Sequence, residues 1–203
     1  MVDVDVEELG PDPLAAFEHW LADVVRAGLP EPTAMVLATV DATGAPAART
    51  VLLKGYDERG LRFFTNLGSA KAADLAAHPR AALVFPWHSI HRQVRASGAV
   101  VQLDRDEVAA YFATRPRDSQ LGAWASAQSE VVASRAALDS SYAEVVDRFP
   151  GEVPAPPFWG GYRVVPDTWE FWVGRAGRLH DRMRYRRTSE DPGAAWIRER
   201  LAP

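Results

Sequence analysis

The feature that most constrains the fold is a run of strand-forming segments from Ala34 to Leu103, cut at short intervals by turn signals. AMVLATV at 34–40 and RTVLLKGY at 49–56 flank an Asp-Ala-Thr-Gly turn, and DERG at 57–60 turns the chain into LRFFTN at 61–66. A short helix is expected after Ser69, and strands resume at 81–86 and 91–103. Four more strands are read at 161–166, 168–173, 178–186 and 195–201, after a Pro-rich linker at 150–157. Helices fill the remainder. Asp12-Pro13 is a sound helix start, and Leu14, Phe17, Leu21 and Val24 make an apolar stripe that ends at Gly28. Asp104 with Glu107 resembles a capping box opening a helix through Tyr111 and Phe112, and another helix fits 129–149. Many strands with a few helices between them predict a mainly β or α+β chain, or a β-barrel with helical additions. Residues 1–11 are acidic and lack Lys and Arg, which predicts a flexible or loosely docked arm before a single domain at 12–203.

Composition narrows the function. The chain has no cysteine, which excludes disulfides, thiolate metal sites and a Cys nucleophile. A net charge of −4 argues against nucleic acid as a partner. With no long apolar run and an acidic start, the expectation is a soluble cytoplasmic protein without a membrane partner. Of 23 basic residues only Lys54 and Lys71 are lysine. The rest are arginine, a bias that runs through the whole chain.

Two local patterns suggest chemistry. Tyr111, Arg115 and Ser119 are spaced i, i+4, i+8, so on a helical path a phenol, a guanidinium and a hydroxyl point the same way. Those donors and one fixed positive charge suit a phosphate monoester. Pro116 should kink the path and begin a second helix as its first residue. The plain alternative is a solvated helix face. Likewise, if 178–186 is a strand, Arg178, His180 and Arg182 share one face, and the plain alternative is an exposed basic strand.

Six blocks in register resemble the pyridoxamine 5′-phosphate oxidase family: RTVLLK at 49–54, FFTNLGSAK at 63–71, FPWHSIHRQV at 85–94, RPRDSQLGAWASAQS at 115–129, FWGGYR at 158–163 and EFWVGRAGRLHDRMRY at 170–185. The resemblance implies an FMN-binding split β-barrel with peripheral helices, working as a homodimer on small phosphorylated B6 vitamers. It points to Lys54, Tyr111, Arg115 and Ser119 for the substrate phosphate, and to Arg178 and His180 as substrate-contacting and catalytic. For FMN it points to Arg49, Thr50, Val51, Leu52, Leu53, Lys54, Phe64, Thr65, Lys71, Gln93, Gln128, Ser129, Trp172 and Arg182. Gln128, Ser129 and Arg182 are expected from the second subunit, and no metal is implied. Arg49 and Lys54 should contact different ligands or be separated by a bulge, because an odd spacing puts them on opposite strand faces.

Three departures from the family pattern stand out. Ala70 replaces an arginine before Lys71, Phe64 replaces a tyrosine before Thr65, and the N-terminal arm lacks the Arg and Tyr that close over substrate in some members. The implied reaction oxidises the 4′ carbon of pyridoxamine or pyridoxine 5′-phosphate, with O₂ as acceptor. The alternatives are a related flavin oxidase on a phenazine-type substrate, and a non-catalytic carrier of FMN or pyridoxal phosphate.

Overall fold

The computed structural model describes residues 6–189, 191 and 193–203. Nine antiparallel strands run β1 (Ala34–Val40), β2 (Pro46–Leu52), β3 (Gly55–Asp57), β4 (Gly60–Asn66), β5 (Arg80–Trp87), β6 (Arg92–Gln102), β7 (Trp159–Val173), β8 (Asp181–Arg187) and β9 (Trp196–Leu201). Their order is β2-β1-β5-β6-β7-β4-β3, with β8 on β7 and β9 on β8. This curled sheet is the split barrel, and its helices are peripheral: α1 (Pro13–Arg26), α2 (Ala70–Ala77), α3 (Arg105–Ala113), α4 (Arg117–Ala125) and α5 (Arg135–Arg148).

The long strand β7 organises the molecule. One edge of it pairs with β6 along its length. The other edge is shared: residues 159–164 pair with β4, and residues 168–173 pair with β8. The two strands read at 161–166 and 168–173 are therefore one strand. The interruption is a bulge: Ser97 faces Thr168, Gly98 faces Pro166, and Asp167 is the extra residue. Proline is tolerated in a central strand at such a point. Gly98 is required there, since a Cβ would come within 1.9 Å of the Val165 carbonyl oxygen.

Burial explains why α1 forms where it does. Asp12 accepts a hydrogen bond from the Leu14 N–H, and Pro13 occupies the first helical position. The helix buries Phe17, Trp20, Leu21 and Val24, with Phe17 seated among Tyr56, Phe85, Trp87 and Trp169. A second, smaller cluster of Leu103, Val108, Phe112, Leu121, Val145, Val153 and Trp159 lies under α3 to α5. Buried Arg163 ties the sheet to α3 by donating to Asp57 and to Glu107, which also accepts from Arg62. Glu107 is thus drawn to the sheet, while Asp104 caps α3 through the Glu107 N–H.

Several boundaries differ from the sequence reading. Segment 49–56 breaks after Leu52, because the Lys54 N–H is drawn to the Arg62 carbonyl. Pro116 is the residue before α4, with extended backbone, rather than its first turn. The helix placed at 129–149 begins at Arg135, where Ser134 accepts from the Ala137 N–H. The strand placed at 178–186 begins at Asp181. The N-terminal arm, expected to be loose, is docked from Val6 onward: Val6 is buried, and Tyr185 donates to the Gly10 carbonyl. Its first five residues lie outside the described residues.

Candidate active site

Between the barrel and the α3–α5 cluster lies a cleft of about 720 Å³. Strand β2 and the turn after it bring Arg49, Thr50, Val51, Leu52 and Lys54; β4 brings Phe64 and Thr65; α2 opens onto it with Ala70 and Lys71. Breaking the strand after Leu52 is what lets Arg49 and Lys54 face the same space despite their odd spacing. Leu53, in contrast, is buried in the core and does not line the cleft.

Tyr111, Arg115 and Ser119 converge as their spacing predicts, although they sit on three different pieces of chain. Tyr111 lies in the last turn of α3, Arg115 lies in the joint, and Ser119 is in the first turn of α4. The Arg115 guanidinium stands over the Trp159 ring at 4.8 Å and the Phe112 ring at 5.3 Å. Its Nη1 is buried without a hydrogen-bond partner. Burial holds its pKa below the ordinary arginine value, and burial raises that of Tyr111. Phe64 lies nearly parallel to both Tyr111 and Trp159, with ring centroids 4.0 and 5.4 Å away.

Lys71 is 8% exposed and donates to three neutral oxygens: Thr65 Oγ1 at 3.0 Å, Ser69 Oγ at 3.2 Å and Gln128 Oε1 at 3.0 Å. Burial, and then nearby Arg49, hold its pKa below that of a free lysine. Arg49 is itself occupied, donating to Thr39 and to buried Asp74 at 3.1 Å. Gln128 and Ser129 belong to this chain's own cleft, not to a partner's as expected: Gln128 accepts from Thr65 and Lys71, and Ser129 Oγ accepts from the Ala70 N–H.

Among the described residues no aspartate or glutamate lines this cleft, while Arg49, Lys54, Lys71 and Arg115 do. Lys54, Lys71 and Arg115 form no salt bridge among the described residues, and the acid whose charge reaches Lys71 is Asp74, which is already paired with Arg49. Lys71 is buried and Arg115 half-buried, while Lys54 is exposed at the rim; cations held out of water without an ion-pair partner suit an anion.

The remaining candidates sit elsewhere. Gln93, Trp172 and Arg182 are cross-strand neighbours in one row over β6, β7 and β8. Arg182 donates to Glu170 at 2.9 Å, and the His180 ring lies 4.7 Å from the Trp172 ring. Arg178 and His180 precede β8, in a turn where Gly177 and Arg178 have φ of +67° and +62°. The one-face argument for Arg178, His180 and Arg182 therefore fails, because a left-handed turn replaces the regular strand. Trp159 and Trp172 stand near opposite ends of β7, roughly 40 Å apart along the strand at about 3.3 Å per residue.

Sequence reasoning missed Trp159, Asn66, Gly122, Ala123 and Ser126 as lining residues. Gly122 and Ala123 follow Ser119 by three and four, the spacing of one helix face, and carried a signal. Ser126 and Asn66, in irregular or terminal positions, carried none.

Comparison with known proteins matches the segments that carry both groups of residues. A pyridoxamine 5′-phosphate oxidase family model matches residues 21–148, and a pyridoxine 5′-phosphate oxidase C-terminal dimerisation region matches 159–203. A pyridoxine/pyridoxamine 5′-phosphate oxidase of Salinispora arenicola is 56% identical over 197 residues, covering 96% of this chain and 88% of that protein. One from Acidothermus cellulolyticus is 56% identical over 199 residues, covering 97% and 88%. Among solved structures, PhzG from Burkholderia lata in complex with tetrahydrophenazine-1-carboxylic acid is 31% identical with a TM-score of 0.92, covering 100% of this chain and 99% of that one. A pyridoxamine 5′-phosphate oxidase-related, FMN binding protein of Nostoc punctiforme, 20% identical with a TM-score of 0.75 and covering 96% and 100%, shares the fold. With relatives this similar over nearly the whole length, the chain belongs to the pyridoxamine 5′-phosphate oxidase family.

Proposed function

We propose that this chain binds FMN and oxidises pyridoxamine 5′-phosphate and pyridoxine 5′-phosphate to pyridoxal 5′-phosphate. O₂ is the acceptor and hydrogen peroxide the second product, and the amine substrate also releases ammonia. The observation that carries this reading is the acid-free cleft, with its four cations in a chain of net charge −4. Such a donor set fits two phosphates: the ribityl phosphate of the cofactor and that of the substrate.

FMN, when bound, supplies the two-electron chemistry. Lys71, in the first turn of α2, and Arg49 of β2 would hold its phosphate. Thr65 and Gln128 would exchange their mutual bond, and Ser129 its bond from the Ala70 N–H, for hydrogen bonds to the cofactor. Lys54, Tyr111, Arg115 and Ser119 would hold the substrate phosphate, a handle remote from the reacting carbon whose binding energy orients it. Trp159 and Phe112 keep Arg115 partly out of water, which strengthens its pull on an anion.

Arg178, His180, Trp172 and Arg182 do not line this chain's own cleft. The length of β7 and the match of residues 159–203 to a dimerisation region support their delivery to the cleft of a second copy. The site is then composite, and the working unit is a homodimer. His180 and Arg178 would orient and polarise the reacting end of the substrate.

A second reading, oxidation of a phenazine-type substrate, is favoured by the likeness to the Burkholderia lata protein. Anaerobic mixing of FMN-loaded protein with pyridoxine 5′-phosphate discriminates. Flavin colour should bleach and return in air, and unphosphorylated pyridoxine should act far more weakly. Bleaching by a phenazine precursor but not by the phosphorylated vitamers would select the second reading. Lasting yellow colour with bound vitamer would mark a carrier.

A further inference from the structure

The turn that carries Arg178 and His180 is not one that a free peptide holds. Two successive residues, Gly177 and Arg178, are left-handed, which for a non-glycine residue costs on the order of 1 kcal/mol or more. Asp181, the first residue of β8, grips this turn from its far end. Its Oδ2 accepts from Arg175 Nε at 2.7 Å, and its Oδ1 accepts from Arg200 Nη1 at 2.6 Å. Arg200 in turn donates to Glu7 at 2.8 Å, so the docked N-terminal turn braces the same carboxylate. The Asp181 pKa is held below the ordinary range, first by the Arg175 hydrogen bond and then by Arg200, with burial opposing.

Arg175 has a second contact that bears on chemistry. Its backbone N–H donates to His180 Nδ1 at 3.1 Å. A neutral imidazole that accepts at Nδ1 carries its proton on Nε2. The Trp172 ring packs against the imidazole, with centroids 4.7 Å apart.

We infer that Asp181 is a positioning residue: by gripping Arg175 it aims that residue's N–H at His180 Nδ1, and so presents His180 Nε2–H as a donor to the substrate. The ion pairs themselves contribute little to stability, because Arg175 and Arg200 are 31% and 46% exposed. Their effect is on the direction and tautomer of one side chain. The inference rests on the reading that His180 faces substrate.

The test uses the FMN-loaded dimer with ¹⁵N-labelled histidine, the His180 signals being identified by their loss in His180→Ala. Wild type should show His180 with a bare Nδ1 and a protonated Nε2. Asp181→Asn should show a mixture of tautomers, and kcat on pyridoxine 5′-phosphate should fall about tenfold to a hundredfold. KM should stay within about twofold, because the phosphate grip is untouched. In a His180→Ala background, Asp181→Asn should cost nothing further. Arg175→Met, which breaks the grip from the other side, should reproduce the effect and covers the case in which Asp181→Asn fails to fold. An unchanged tautomer in both variants, or a loss fully additive with His180→Ala, overturns the inference. Failure of wild type to oxidise either phosphorylated vitamer would overturn the functional reading, while the tautomer measurement would still decide whether Asp181 sets His180.

Discussion

Replacing Arg115 with alanine separates two effects that usually travel together. In the folded protein the guanidinium has one buried, unpartnered nitrogen and stands over the rings of Trp159 and Phe112. Removing it forfeits cation–π attraction of roughly 0.5–1 kcal/mol per ring. It also relieves an unsatisfied buried donor, a cost of about 1–3 kcal/mol. The two nearly cancel, so Arg115→Ala should leave the melting temperature within a few degrees of wild type. Ligand binding has no such cancellation. A charge-assisted hydrogen bond contributes about 1.5–3 kcal/mol, so kcat/KM for pyridoxine 5′-phosphate should fall roughly tenfold to 150-fold, mostly through KM. Unphosphorylated pyridoxine should lose nothing. Steady-state peroxide release on both substrates, with a thermal melt of each protein, provides the comparison. Equal losses on the two substrates, or no loss on the phosphorylated one, would refute the assignment of Arg115 to a phosphate.

Ala70→Arg, which adds a donor at the first turn of α2 where the cleft opens, should tighten FMN about tenfold or more, read by fluorescence titration. Gly98→Ala should destabilise the fold by about 3 kcal/mol or more, since its Cβ would lie 1.9 Å from a backbone oxygen; a denaturant melt would reveal this. Burial lowers the pKa of Lys71, and a bound phosphate should raise it again. Binding then takes up a proton between the two values, so FMN affinity should fall as pH rises through that window below 10.5; calorimetry in buffers of different ionisation enthalpy measures the uptake.

The site and the barrel were legible to different degrees, for physical reasons. Hairpin turns such as Asp41–Gly44 and caps such as Asp12 and Asp104 act over a few residues, and the structure keeps them. Tyr111, Arg115 and Ser119 still line one cleft although Pro116 separates the two helices that carry Tyr111 and Ser119. Long-range competition was invisible. The break after Leu52 depends on the Arg62 carbonyl, and the bulge at Asp167 depends on the close approach of Gly98 in another strand. The turn at 177–178 defeats period-two reasoning, since nothing in Gly-Arg-Leu-His forces left-handed backbone without the Asp181 network around it. Gln128 was misassigned to the partner because the loop at 126–134 folds back onto Lys71, a tertiary contact with no local signal.

Strand β7 has a genetic consequence. It holds Trp159 in one cleft and Trp172 far along the same polypeptide, so in the proposed dimer each composite site would draw its phosphate grip from one chain and its imidazole from the other. A lesion at Arg115 and a lesion at His180 therefore damage opposite halves. In a dimer that pairs one chain of each kind, one site collects both lesions and the other collects neither. Two inactive alleles expressed together should restore activity, with a ceiling of one sound site per mixed dimer.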